Sequence, residues 1–66
     1  MKVGDLVKFR GEEWATRLIN TIGIITRIRP DTDRCTGITD IMVGNRIEEI
    51  HNNTFGPNEI EVISEV

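Results

Sequence analysis

Sixty-six residues make one domain at most, residues 1–66. One Cys and one His exclude an intrachain disulfide and a four-ligand zinc cage. The net charge of −3 is unevenly divided, since residues 1–34 sum to +2 and residues 35–66 to −5. That balance argues against a globally basic nucleic-acid binder but leaves room for a local basic patch.

No stretch approaches the eighteen or so apolar residues of a membrane span, and the start, MKVGDLVKF, lacks the apolar run of a secretory leader. Together with the unpaired Cys35 this predicts an intracellular, cytoplasmic protein. The apolar set is dominated by eleven Ile and five Val against two Leu. Side chains branched at Cβ lose χ1 freedom in helices and fit a pleated surface, so an all-β fold is expected.

The first strand is expected over residues 2–10, KVGDLVKFR. Val7 and Phe9 alternate with Lys8 and Arg10, and Leu6 falls on the charged side. Residues 11–20, GEEWATRLIN, have partial helical spacing but are too short for a stable helix of their own. They read as a long loop folded back on the barrel and anchored by Trp14, with a single helical turn as the alternative. The second strand, residues 21–29, TIGIITRIR, puts Ile22, Ile24, Thr26 and Ile28 on one face. Gly23, Ile25, Arg27 and Arg29 take the other. Gly23 suits the close approach of another backbone.

Pro30 ends that strand, and residues 30–37 form a polar loop. The third strand, residues 38–43, is joined to the fourth, residues 46–51, through Gly44-Asn45, a two-residue turn of type II′. Residues 55–59, FGPNE, read as a turn or one 3-10 turn, and residues 60–64 as the last strand. The whole predicts a five-stranded SH3-like small barrel.

Two runs carry a family resemblance. Val3-Gly4-Asp5-Leu6-Val7-Lys8-Phe9, followed by Ile22-Gly23-Ile24-Ile25-Thr26-Arg27-Ile28, resembles the opening of KOW and Tudor-type small barrels. Gly44-Asn45-Arg46-Ile47-Glu48-Glu49 with Pro57-Asn58-Glu59-Ile60-Glu61-Val62-Ile63 is similar to short SH3-like proteins of tailed bacteriophages, cyanophages included. The resemblance covers most of the chain except residues 11–20 and 30–37. At Gly11 the chain departs from the KOW loop, continuing as EEWATRLIN without further glycines. A phage protein would act in the host cytoplasm.

Chemistry-bearing residues are few. Glu48-x-x-His51 has the spacing of the Glu-x-x-His pairs that hold metals in helical bundles. A strand puts positions i and i+3 on opposite faces, so the two cannot share an ion there. Cys35 has Arg34 beside it but no base and orienting group to make it a nucleophile. No catalytic, metal or cofactor residues are therefore assigned, and neither an enzyme nor a small-molecule substrate is expected.

Two binding surfaces remain. Trp14, Ile25, Ile50 and Phe55 are candidate contacts for a protein partner or for a second copy of the chain. Lys8, Arg10, Arg27 and Arg29 are candidates for one positive patch meeting nucleic acid, if the first two strands are neighbours. The leading expectation is a non-catalytic protein-interaction module, and the second a nucleic-acid-binding barrel. The fourth strand leaves one conflict open. Ile47 and Ile50 face opposite ways, so either a bulge or a second apolar surface must accommodate them.

Overall fold

Strands form where the alternation runs, and turn residues stop them. The computed structural model describes every residue except Glu12, Glu13, Ala15, Thr16 and Pro57. The strands are β1 (Leu6–Phe9), β2 (Ile22–Arg29), β3 (Ile38–Val43), β4 (Arg46–His51) and β5 (Ile60–Ser64). All pairings are antiparallel, in the spatial order β4-β3-β2-β1-β5. The fold is all-β, and the bounds of β3, β4 and β5 coincide with the expected ones.

The sheet is open. Its edges are β4 and β5, and among the described residues no ladder joins them. It is nevertheless strongly bent, because Ile50 of one edge and Ile60 of the other enter the same core. Val7, Phe9, Leu18, Ile25 and Ile41 complete that core. Two bulges help the bend. Thr26 is the extra residue of β2 and Ile63 the extra residue of β5. A bulge sharpens the local twist and bends its strand.

The Thr26 bulge also corrects the expected faces of β2. Before it, Ile25 is buried and Ile22 is exposed; after it, Ile28 packs on the core and Arg27 points outward. Uninterrupted alternation could not put Ile25 and Ile28 on one side. Gly23 lies where a Cβ would collide with Ile41 and with the carbonyl of Met42, so only glycine lets β3 come this close.

β1 is shorter than expected because Gly4 and Asp5 form a clasp instead of a strand. Gly4 has φ +96°, and a Cβ there would strike Val66. The Asp5 carboxylate accepts N–H bonds from Lys2 at 2.9 Å and Val66 at 3.0 Å. One buried side chain thus ties both ends of the chain to the sheet.

Two loops close the open side. From the first, Trp14 meets Phe9 edge-on at 5.0 Å and donates Nε1–H to the Glu59 carbonyl at 2.9 Å, while Leu18 is buried. Residues 17–20 form a turn, and Asn20 takes φ +62°. The alternative of a helical turn falls largely on Glu12, Glu13, Ala15 and Thr16, which lie outside the described residues.

The second loop runs from β2 to β3, and Asn52 fastens it. Its Nδ2 donates to the Arg29 carbonyl at 3.2 Å, its backbone N–H to the Gly37 carbonyl at 2.9 Å, and its Oδ1 accepts from the Thr39 hydroxyl at 2.8 Å. Asn52–Thr54 is the 3-10 turn, placed earlier than FGPNE. Of the FGPNE stretch, Asn58 and Glu59 form a turn, with Glu59 N–H donating to the Gly56 carbonyl at 3.1 Å, and Pro57 lies outside the described residues.

Candidate interaction surface

The conflict in β4 is resolved without a bulge there. Register runs unbroken from Ile38↔His51 to Val43↔Arg46. Ile50 enters the core at 8 % exposure, whereas Ile47 stays outside at 52 %. Glu48 takes the inner side of the edge strand, where Arg17 of the first loop meets it in an ion pair. Glu48 and His51 therefore lie on opposite faces. Among the described residues no group of three or more His, Cys, Asp or Glu is placed to hold a metal ion.

The outward position of Ile47 is not isolated. Ile47 lies opposite Met42, Met42 opposite Ile24, and Ile24 opposite Leu6. Residues directly opposite in a ladder share a face, so these four side chains form one apolar row across β4, β3, β2 and β1. At its end Leu6 faces Ser64, beside the bulged Ile63. Ile22 flanks the row. Leu6, Ile22, Met42, Ile47 and Ile63 are all exposed, and Ile24 is half-buried. Five of the eight exposed large apolar side chains among the described residues thus cluster on the outer face.

The expected contact residues are mostly elsewhere. Ile25, at 1 % exposure, and Ile50 are core residues that no partner can reach. Trp14 and Phe55 are half-buried against the core, so Trp14 is the anchor of its loop. Phe55 also lines a shallow groove of about 440 Å³ with Met1, Gly56, Ile60, Glu61 and Val62 beside the β5 edge.

The four expected basic residues do not form one patch. β1 and β2 are neighbours, but their antiparallel register sets Lys8 against Ile22, at the start of β2. Arg27 lies five residues further along, roughly 16 Å at the rise of a strand. Arg10 is paired with Glu61, and Arg29 with Asp40 at 2.6 Å. Lys8 itself sits opposite Glu61.

Cys35 is exposed in the second loop, its Sγ 3.2 Å from the Thr32 hydroxyl. Among the described residues, Asp5 is the titratable group whose environment shifts it. Its pKa lies below the ordinary 3.8 because the Val66 N–H stabilises the charged form; burial opposes this, and the Lys2 N–H and ammonium reinforce it. Both roles of Asp5 are structural.

Sequence reasoning missed the row because it paired the third and fourth strands through Gly44-Asn45 but did not carry the register on to Ile24 and Leu6. The signals were present: Leu6 on the charged side of its strand, and Met42 set opposite Ile47 by the Gly44-Asn45 turn.

Comparison with protein-family models, curated proteins and solved structures gave no match. No helix is long and apolar enough to cross a membrane among the described residues.

Proposed function

We propose that this chain is a small non-catalytic interaction module, built as an SH3-like small barrel with an open seam, that binds protein through its outer sheet face. The observation that carries the reading is the apolar row Ile47-Met42-Ile24-Leu6. Contiguous exposed apolar surface of this kind on a small soluble domain marks a contact site. The strand order, the bend that brings both edges to one core and the 3-10 turn before β5 support the barrel reading.

The resemblance to KOW and Tudor-type barrels rests on the Gly-Asp opening, which here serves as the clasp between the chain ends. It therefore supports the barrel and not nucleic-acid binding. The reading implies an intracellular setting, the host cytoplasm for a phage-encoded protein. The pairing of Arg10 and Arg29 with acids disfavours the nucleic-acid alternative.

The test is affinity capture from nuclease-treated and untreated lysate, with the wild-type chain and Met42→Glu as baits. Capture of protein by the wild type, insensitive to nuclease and lost with Met42→Glu, supports the reading. Equal capture by both baits sinks it. Tight, salt-sensitive binding of a single-stranded oligonucleotide would move the assignment to nucleic acid.

A further inference from the structure

We infer that the outer face is closed by a second copy of this chain, packed face to face about a two-fold axis. The inference rests on the protein-binding reading above and names the partner.

Three observations converge. The first is the balance of apolar residues. Seven large apolar side chains form the buried core, and eight are exposed among the described residues. Small domains are marginal when a single core must hold them, and self-association is a common remedy. Face-to-face packing would turn Leu6, Ile22, Met42, Ile47 and Ile63 into a second core shared by two copies.

The second is size. Five strands about 4.8 Å apart span roughly 20 Å, and six residues along a strand span about 20 Å more. A projection of about 400 Å² corresponds to a larger accessible area once side chains stand out from it. On a bent face this is an upper bound for the contact, which places the pair at the weak, concentration-dependent end of specific interfaces.

The third is charge. A two-fold contact sets each surface against itself, so a rim of one sign would repel its own copy. Cross-strand register and alternation place Lys8, Arg27 and Arg29 on the outer face with Asp40, Glu49 and Glu61. With Arg10, which pairs with Glu61, the rim holds four basic and three acidic groups, most of them already paired: Arg29 lies 2.6 Å from Asp40 and 3.8 Å from Glu49. Such a nearly balanced, internally paired rim offers little to a nucleic acid or a strongly charged peptide. It tolerates its own image.

Sedimentation equilibrium of the full chain, from low micromolar to near-millimolar concentration, tests the inference. The expected mass approaches twice 7.5 kDa as concentration rises. Met42→Glu and Ile47→Lys should each stay monomeric while keeping the wild-type far-UV circular dichroism. A readout free of substitution accompanies this. Hydroxyl-radical oxidation of Met42 should fall several-fold in the concentrated wild type relative to the dilute one.

A dimer that both substitutions leave intact, or equal Met42 oxidation at both concentrations, overturns the inference. So does a strict monomer. A monomer that still captures a protein through Met42 defeats the two-copy inference and leaves the interaction reading standing. A monomer that captures nothing defeats both.

Discussion

Asp5 is 1 % exposed and yet ionised, because its carboxylate gathers N–H groups from both ends of the chain. A group whose pKa is lower in the folded state stabilises that state above its unfolded value, and the contribution is lost as pH falls through the folded pKa. The wild type should therefore lose stability as pH falls below about 3.8, the ordinary carboxyl value. Asp5→Asn should lower the urea midpoint at pH 7 and flatten that acid limb. Parallel urea titrations of both proteins between pH 2 and 7 check it; an acid limb of unchanged steepness in the variant contradicts the assignment. Asn52 makes the same kind of link between loop and sheet. Asn52→Ala strands the hydroxyl of Thr39, itself 2 % exposed, and should cost about 1–3 kcal/mol in urea unfolding. A loss below a few tenths would show that the loop holds without it.

At the level of elements, β2 is the decisive strand, because its bulge changes which residues enter the core. Deleting Thr26 would restore strict alternation. Ile25, Arg27 and Ile28 would then stand inward, outward and inward, the faces they already take, so the core would keep its side chains and the strand would lose only the extra twist and bend of the bulge. The deletion should keep a cooperative unfolding transition at a lowered melting temperature, and loss of cooperative unfolding would show that the bend itself is indispensable to the core. The same bulge explains what could be read in advance. β3, β4 and β5 were legible to the residue because each is bounded by a turn, and the β3–β4 pairing runs unbroken from the Gly44-Asn45 hairpin. The faces of β2 were not, since a bulge is set by the shape of the closing core and leaves no mark on the local pattern. Arg27 and Arg29 alternate as well with a bulge as without one. Nothing in the local pattern marked the roles of Asp5 and Asn52, whose partners, Val66, Arg29 and Thr39, come from distant parts of the chain that only the fold brings near.

For the molecule as a whole, the question is how a 66-residue chain without a disulfide or metal cage keeps a bent, open sheet in one shape. The inner face is well used: Trp14 and Leu18 cover it from the first loop, and Phe55 packs beside the β5 edge. The outer face is not, and its apolar row could be read only once four strands stood in register. If a second copy covers that row, unfolding is a reaction of two folded chains to two separate ones, and stability must depend on concentration. Each tenfold dilution within the dimer range then removes about 1.4 kcal/mol from the apparent free energy of unfolding per dimer. Thermal melts of the wild type over a hundredfold range should shift downward on dilution and level off once the monomer dominates. Met42→Glu should melt at one temperature throughout, because its outer face is already solvated and its inner core untouched. Should wild type and variant both give concentration-independent melts at the same temperature, the outer row contributes nothing to holding the fold. The seven-residue core and the two loop covers would then suffice alone.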